Sequence, residues 1–234
     1  MSVKKKGPGG RQPTQRVKTA KGRKISSTRW LQRQLNDPYV AEAHRLGYRS
    51  RAAFKLTELD DRFHFLAAGK RVIDLGAAPG GWTQVAVARV GSRGRVVSID
   101  LSEMDAIPGA VILQGDFFDD DVPERLLDAL GGAVDIVLTD MAPASIGHPG
   151  TDHLRIMALC EAALDFAVEV LAPGGVFVAK VLQGGTEDTL LAAIKRDFET
   201  VRHAKPPSSR AESAELYVVA QGFRRRRADE DDGE

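Results

Sequence analysis

The sequence predicts an α/β fold, with a mostly parallel seven-stranded sheet and helices on both faces of that sheet. Short apolar runs alternate along the chain with longer amphipathic stretches, which is the pattern of strands linked by crossover helices. Several of these runs also end at a charged residue, as strands do when their carboxyl ends form a binding site. With 234 residues, 43% of them hydrophobic, the chain is long enough for one sizeable core.

The strands are predicted from short runs rich in Val, Ile and Leu. In chain order they cover residues 71–75, 95–99, 111–113, 134–139, 176–181, 201–203 and 215–220. The helices are predicted from apolar residues at helical spacing. They cover residues 30–46 with an interruption near Pro38, then 51–62, 81–90, 122–130, 154–171 and 189–198. Ser50 is the expected N-cap of the helix at 51–62, and Pro173 with two following glycines ends the helix at 154–171.

The composition excludes several classes of protein. A single cysteine, Cys160, rules out a disulfide framework and any cysteine-based zinc or iron–sulfur site, and it fits a reducing cytosol. No apolar run approaches the roughly 18 to 20 residues that cross a bilayer. The basic N-terminus lacks the apolar segment of a secretory signal. We therefore expect a soluble cytoplasmic protein that does not bind membranes, and we take a monomer as the default.

Charge is unevenly distributed, although the net charge is only +1. Residues 1–36 contain eleven Lys or Arg and no acid, whereas residues 37–223 contain 18 basic and 27 acidic residues. We predict a basic disordered arm at 1–26, a folded domain at 27–223 and a charged disordered tail at 224–234. A cationic arm on an acidic body indicates a polyanionic partner, most commonly nucleic acid, although a solubilising segment has the same composition.

A glycine-rich turn at residues 76–81 follows the first predicted strand and leads into a helix. Small residues let a ligand approach the backbone, and the helix N-terminus offers free N–H groups. Asp100 ends the next strand, where a carboxylate accepts hydrogen bonds from ribose hydroxyls, and Asp116 is placed to bond an adenine amino group. The turn lacks the glycine spacing of dinucleotide-binding folds and the Gly-Lys-Ser/Thr of a phosphate loop, which argues against NAD and ATP. S-adenosylmethionine, a nucleoside without pyrophosphate, is therefore the expected cofactor.

Several motifs around this turn resemble one known family. The segment D-L-G-A-A-P-G-G-W-T-Q at 74–84 closely resembles motif I of the FtsJ/RrmJ family, the bacterial 23S ribosomal RNA 2′-O-ribose methyltransferases. The resemblance covers roughly residues 50–223 and includes six further motifs in order. They are S-R-A-A-F-K-L at 50–56, L-Q-G-D-F at 113–117, T-D-M-A-P at 139–143, F-V-A-K-V at 177–181, K-P-P-S-S-R at 205–210 and S-A-E-L-Y at 213–217.

The resemblance implies a Rossmann-like S-adenosylmethionine-dependent methyltransferase fold. It implies a catalytic tetrad, which here falls on Lys180, Asp140, Lys55 and Glu215. It also implies contacts to the methyl donor at Gly80, Trp82, Asp100, Asp116 and Asp140. By the same resemblance, the substrate is a uridine in the A-loop of 23S ribosomal RNA within the large ribosomal subunit.

The reaction explains why such residues are needed. A ribose 2′-hydroxyl is a poor nucleophile, so the enzyme must align oxygen, methyl carbon and sulfur and remove the hydroxyl proton, for which no metal is needed. A lysine is a base only when neutral, and its reference pKa is about 10.4. A second ammonium group and partial burial lower that value, whereas a neighbouring carboxylate raises it. Lys180 is the expected base, with Asp140 orienting it and Lys55 and Glu215 in support.

Contacts to RNA are expected from the basic arm and from three arginines, Arg49, Arg51 and Arg210, which would collect phosphates. The loop at residues 208–210 is a candidate phosphate-binding loop, with a plain turn as the alternative.

The same sequence features fit other functions. The same chemistry could act on transfer RNA or an mRNA cap. A different class is a non-catalytic RNA-binding factor for ribosome assembly, against which the four intact polar residues argue. An NAD-dependent oxidoreductase is disfavoured by the glycine spacing.

Overall fold

The computed structural model describes residues 16–17, 22, 25–143, 147–183 and 188–224. The predicted basic arm and charged tail lie almost entirely outside these residues, so the three-part division of the chain stays a prediction. No helix in the described ranges is both long and apolar enough to cross a bilayer.

Seven strands form one sheet, as the sequence predicts. They are β1 Arg71–Leu75, β2 Arg95–Asp100, β3 Ala110–Gln114, β4 Val134–Thr139, β5 Leu171–Leu182, β6 Phe198–Ala204 and β7 Glu215–Phe223. Their order across the sheet is β3-β2-β1-β4-β5-β7-β6. The pairs are parallel except at β7, which runs antiparallel to both of its neighbours. The prediction of a mostly parallel seven-stranded sheet is therefore confirmed.

Helices precede the sheet and connect its strands. They are α1 Ile25–Leu35, α2 Pro38–Arg45, α3 Ala52–Phe63, α4 Gly81–Val90, α5 Val122–Leu130, α6 Pro149–Val170 and α7 Asp188–Asp197. The predicted interruption near Pro38 is confirmed, because this proline begins α2. Asp37 caps α2, and its carboxylate accepts a hydrogen bond from the backbone N–H of Tyr39.

Two local predictions are wrong. The N-cap of α3 is Arg51 rather than Ser50, and no side chain caps this helix. Strand β5 begins at Leu171, not at residue 176. Leu171 of β5 pairs with Val134 of β4. After a shift in register, the pairing of the two strands resumes at Val176. The glycines that were expected to separate helix from strand therefore lie inside an irregular beginning of β5.

Both faces of the sheet are covered, because successive strand residues point to opposite faces. In β1, Ile73 and Leu75 pack in one core with α5, α6 and α7, whereas Val72 packs in a second core with α3 and α4. All three side chains are fully buried. The strand ends are therefore held between two packed layers.

The strand order reverses between β1 and β4. From β1, the chain adds β2 and β3 on one side, and then β4 and β5 on the other. Such a reversal opens a crevice beyond the carboxyl ends of the central strands. Asp74, Asp100 and Asp140 lie at the carboxyl ends of β1, β2 and β4, so all three carboxylates border this crevice.

Candidate active site

The four residues of the expected tetrad converge at the carboxyl ends of β4 and β5. Nζ of Lys180, from β5, lies 3.1 Å from Oδ1 of Asp140 and 2.7 Å from the backbone oxygen of the same residue. Nζ of Lys55, from the second turn of α3, lies 3.9 Å from Oδ2 of Asp140. The same nitrogen lies 3.0 Å from Oε2 of Glu215, at the start of β7. The structure thus brings together all four catalytic candidates that the sequence nominates.

A tyrosine that sequence reasoning missed links these groups. Tyr217 lies directly opposite Lys180 in the β5–β7 pairing. Its hydroxyl donates a hydrogen bond to Oδ1 of Asp140 at 2.7 Å and accepts one from Nζ of Lys55 at 3.0 Å. Burial, together with the carboxylates of Asp140 and Glu215, raises the pKa of Tyr217 well above its usual value, so the hydroxyl stays a donor. The only signal in the sequence was its place in the S-A-E-L-Y motif.

Asp140 is ionised in this cluster. Burial alone would raise the pKa of its carboxyl group. The ammonium groups of Lys180 and Lys55 and the hydrogen bond from Tyr217 outweigh burial, and the pKa of Asp140 lies below its usual value. One carboxylate therefore holds both lysines in place.

Two positions in the turn after β1 require glycine, because neighbouring segments pack directly against the backbone there. Gly76 has a φ of +72°, and a Cβ on it would collide with Cγ of Met141. A Cβ on Gly81, the first residue of α4, would collide with Oγ of Ser50. These two glycines let the segments after β4 and before α3 approach the turn.

Asp74 is buried at the end of β1, beside this turn. Its Oδ2 accepts a hydrogen bond of 2.7 Å from Oγ1 of Thr83, and that hydroxyl lies 2.8 Å from Oγ of Ser98. Burial raises the pKa of Asp74 to about 7, against the lowering effect of the hydrogen bond from Thr83. Its carboxyl group therefore titrates near neutral pH.

A cavity of about 690 Å³ opens beside the turn, and three of the expected donor contacts line it: Asp100, Asp116 and Asp140. The two oxygens of Asp100 accept backbone hydrogen bonds from Ala78 at 2.9 Å and from Ser102 at 2.8 Å. Oδ1 of Asp116 accepts one from the N–H of Phe118 at 3.1 Å. These bonds orient the carboxylates and leave lone pairs for a ligand.

Two large apolar side chains on the wall of this cavity are mostly exposed. Leu101 is 66% exposed and Phe118 is 60% exposed. Leu101 follows Asp100 and Phe118 lies two residues after Asp116. The cavity therefore combines apolar surface with hydrogen-bond acceptors, which suits a planar base with polar edges. The volume lies within the range of about 300 to 1,000 Å³ that is usual for cofactor sites.

A second cavity of about 50 Å³ adjoins the first and shares Gly76, Ala78 and Asp140 with it. Trp82 lines it, and Nε1 of this residue donates a hydrogen bond to the backbone oxygen of Ala52 at 2.9 Å. Ser50 lines it too, and its buried Oγ has no hydrogen-bond partner among the described residues. Since buried hydroxyls are normally satisfied, Ser50 indicates a polar ligand here.

Gly80 is the one expected donor contact that lines neither of these cavities. It is the N-cap of α4, with a φ of +105°. A Cβ on it would meet Cδ1 of Ile107 at 2.7 Å and Nη1 of Arg49 at 3.2 Å. Gly80 thus packs closely at the turn, and its contact with the donor stays a prediction.

The residues of the two cavities fit S-adenosylmethionine. Asp100 and Asp116 would supply acceptors for ribose hydroxyls and an adenine amino group, and Leu101 and Phe118 would supply apolar surface for the base. The smaller cavity offers the hydroxyl of Ser50 to a polar group. The ionised Asp140 lines both cavities, where a cationic sulfonium centre is favourable.

Comparison with known families agrees with this geometry. Residues 48–223 match the FtsJ-like methyltransferase family. The chain belongs to the FtsJ-like methyltransferase family. The matched span contains the whole sheet and all four residues of the tetrad.

Relatives in this family are similar over nearly their full length. A protein of Paramagnetospirillum magneticum, named Ribosomal RNA large subunit methyltransferase E, is 66% identical over 221 residues, which cover 92% of this chain and 91% of the relative. The protein of that name from Rhizorhabdus wittichii is 62% identical over 220 residues, 94% of each chain. A solved structure from Plasmodium falciparum, described as a ribosomal RNA methyltransferase, is 33% identical with a TM-score of 0.68. The match covers 75% of this chain and 98% of that one.

In this FtsJ-like methyltransferase, the guanidinium of Arg49, which was expected to bind phosphate, is hydrogen-bonded to backbone oxygens of the protein. Its guanidinium donates hydrogen bonds of 2.8 Å to the backbone oxygens of Asp105 and Ala106, and a longer one of 3.4 Å to Pro79. Its backbone N–H donates to Oε1 of Gln84 at 2.8 Å. Arg49 thus ties the segment before α3 to the glycine turn and to the loop after β2.

Arg51 and the loop at residues 208–210 also differ from the expectation. The guanidinium of Arg51 pairs with Asp37 and donates to the backbone oxygen of Ser208. Glu58 accepts hydrogen bonds from the N–H of Ser208 at 2.8 Å and from its hydroxyl at 2.6 Å. Ser208 is fully buried, so this part of the loop anchors to α3 and is not free for phosphate. Within the ranges that the structure describes, no three His, Cys, Asp or Glu side chains form a metal-binding group.

Proposed function

We propose that this FtsJ-like methyltransferase methylates the 2′-hydroxyl of a uridine in the A-loop of 23S ribosomal RNA. The reaction uses S-adenosylmethionine, proceeds by in-line methyl transfer with Lys180 as base, and takes place on the large ribosomal subunit in the cytoplasm, with the enzyme as a monomer. One observation carries the proposal: Lys180 and Lys55 meet at Asp140, which also lines the cavity suited to the donor. The names of the two relatives described above support the choice of large-subunit RNA.

Lys180 is oriented for proton transfer by its two bonds to Asp140. To act as base, Lys180 must first release the proton of its ammonium group. The neutral amine then has two N–H groups and one lone pair. The backbone oxygen and Oδ1 of Asp140 lie 2.7 and 3.1 Å from Nζ, so they can take both hydrogens. The lone pair is then left for the proton of the ribose hydroxyl. The side chain is 6% exposed, which keeps bulk water from competing for that position.

The other members of the tetrad hold this arrangement. Asp140 orients Lys180 and balances the positive charge that this lysine acquires with the proton. Lys55 is held between Glu215, Tyr217 and Asp140, so it remains close to the site without replacing Lys180 as the base. Glu215 fixes Lys55 and is a supporting group.

The donor is held by the residues of the two adjoining cavities. We assign the ribose hydroxyls to Asp100, the adenine amino group to Asp116, and the polar amino-acid end to the cavity with Ser50 and Trp82. When bound, S-adenosylmethionine supplies a methyl group that its sulfonium has already activated. Protein side chains therefore need only to align the hydroxyl and remove its proton.

The substrate assignment can be tested with large subunits from a strain that lacks the modification. Purified enzyme is incubated with labelled donor and these subunits, and the methylated nucleotide is mapped in the RNA. The proposal predicts one ribose-methylated uridine in the A-loop and little transfer to transfer RNA or capped RNA. Transfer to either of those RNAs at a comparable rate would favour the alternative substrates, and no transfer to any RNA would favour a non-catalytic factor.

A further inference from the structure

A third cavity, of about 340 Å³, is bordered by the Lys55–Glu215 pair of the tetrad. Lys55 and Glu215 line it, whereas Asp140 lines the donor cavities. It shares no residue with the 690 Å³ cavity. It shares Ala52 with the 50 Å³ cavity. The tetrad therefore borders two openings, of which one fits the donor and the other is left for the RNA strand that carries the hydroxyl.

Basic side chains dominate the wall of this third cavity, although the folded body of the protein is acidic. Three segments contribute to it: the end of α1, the beginning of α3 and the loop before β7. Their charged side chains on the wall are Arg33, Arg51, Lys55, Arg210, Glu212 and Glu215. Lys55 is paired with Glu215, and Asp37 pairs with both Arg51 and Arg210. One carboxylate shared by two guanidinium groups leaves positive charge on the wall.

The arginines of this wall differ in their freedom to bind a ligand. Arg51 is 14% exposed, and two of its guanidinium nitrogens are used by Asp37 and Ser208. Its Nε is buried and has no hydrogen-bond partner among the described residues. Since buried donors are normally satisfied, this nitrogen indicates that a ligand supplies an acceptor here. Arg210 is 28% exposed and holds the shared carboxylate at 3.2 Å. Arg33 is exposed, and no carboxylate in the described ranges pairs with it.

We propose that this cavity receives the nucleotide next to the methylated one, with its phosphate bound by Arg33 and Arg210. The inference rests on the proposed function and adds the residues that hold the RNA strand. Guanidinium groups match the geometry of phosphate oxygens and bind them in a bidentate manner. The volume is at the small end of the usual range for ligand sites, so it takes an unstacked unit of single-stranded RNA and not a duplex.

The role of these arginines is tested by Arg33→Gln, Arg210→Gln and the double variant. Arg93→Gln is the matched control, because Arg93 is exposed and precedes the amino end of β2, whereas the tetrad lies at the carboxyl ends of the strands. For each protein we measure the Michaelis constant for unmodified large subunits over a range of KCl concentrations, and donor affinity by calorimetry. We expect each single variant to raise that constant about tenfold and to reduce the salt slope by about one. Donor affinity and the control variant should match the wild type.

Two further measurements keep the outcomes distinct. Thermal unfolding of Arg210→Gln shows whether loss of the ion pair with Asp37 destabilises the protein. Arg33→Gln does not break that ion pair, so it tests the inference independently of such a loss. A single-stranded oligoribonucleotide of the target should bind more weakly to both variants, and the same strand annealed to its complement should bind poorly to all proteins. Unchanged salt slopes and Michaelis constants in an active enzyme would overturn the inference alone. If wild-type enzyme transfers no methyl group to RNA, the proposed function fails instead.

Discussion

The hydroxyl of Tyr217 donates a 2.7 Å hydrogen bond to Oδ1 of Asp140, the carboxylate oxygen that also lies 3.1 Å from Nζ of Lys180. The same hydroxyl accepts a hydrogen bond from Lys55. A neutral side chain therefore connects the two lysines through one carboxylate, and it fixes which oxygen of Asp140 faces the base.

Removing this hydroxyl should slow the reaction without weakening donor binding. A hydrogen bond to a charged group contributes about 1.5 to 3 kcal/mol. We therefore expect Tyr217→Phe to lower kcat roughly ten- to hundredfold while the donor affinity in calorimetry stays within twofold. Tyr48→Phe serves as the control, since Tyr48 lies outside the tetrad and packs edge-on against Phe54. A kcat equal to the wild-type value in Tyr217→Phe would show that the link is not needed.

Arg49 should affect the donor rather than the RNA. Its guanidinium holds Asp105 and Ala106, in the loop whose beginning, Leu101 and Ser102, lines the donor cavity. Arg49→Gln is expected to weaken donor binding about tenfold in calorimetry, because two charge-assisted bonds to that loop are lost. The salt dependence of the Michaelis constant for RNA should not change. The opposite pattern, normal donor affinity with a smaller salt slope, would return Arg49 to the role of a phosphate contact.

The raised pKa of Asp74 should make the free energy of unfolding depend on pH. Its pKa is raised from an ordinary value of 3.8 to about 7 in the folded protein. Between these values the folded state holds a proton that the unfolded state has lost, so this group contributes stability at low pH that disappears as pH rises towards 7. The loss is about 1.4 kcal/mol per pH unit over that window.

Asp74→Asn removes this titration while keeping an oxygen that can accept the hydrogen bond from Thr83. We expect urea unfolding at pH 4.5, 5.5, 6.5 and 7.5 to show the variant gaining free energy of unfolding relative to wild type as pH rises. No other ionisable residue differs between the two proteins, so the difference reports the titration of Asp74 together with its coupling to Asp100 and Asp140. Parallel curves across this range would mean that Asp74 is ionised throughout.

Gly76 should tolerate no side chain, for two separable reasons. Its φ of +72° disfavours an L-residue, and a Cβ would also collide with Met141. Gly47 has nearly the same φ, +76°, with no atom within 4 Å of a Cβ. Gly47→Ala should therefore lose only the roughly 1 to 2 kcal/mol of backbone strain. Gly76→Ala should lose a further 1 to 3 kcal/mol or so from overpacking. Equal losses in chemical denaturation would mean that Met141 moves aside freely.

The sequence predicted most of the fold because the fold depends on local patterns. Apolar runs gave the seven strands, and the charges that end them identified Asp100, Asp116 and Asp140 at one edge of the sheet. Lys55, Lys180 and Glu215 could be assigned only by resemblance, since their meeting depends on the packing of α3 against β5 and β7.

What the sequence could not predict involves partners that are distant in the chain. Ser50 was expected to cap α3, but its hydroxyl lies in the wall of the smaller cavity. Arg49 and Arg51 were expected to reach phosphates, and both bind internal oxygens instead. The local sequence around an arginine is the same whether its side chain binds an RNA phosphate or an oxygen of the protein. Its partner is decided by tertiary contacts, here with Asp37, Asp105 and the loop before β7.

The role of Lys180 is tested most directly by the rate of one round of methyl transfer. Single-turnover mixing of the donor-loaded enzyme with unmodified large subunits measures this step apart from product release. General base catalysis typically contributes about a hundred- to ten-thousandfold, so Lys180→Ala should slow the step by that factor while its donor affinity in calorimetry is retained. Lys195→Ala, which changes an exposed lysine on α7, should react at the wild-type rate. A Lys180→Ala enzyme that transfers the methyl group nearly as fast as wild type would show that Lys180 is not the base.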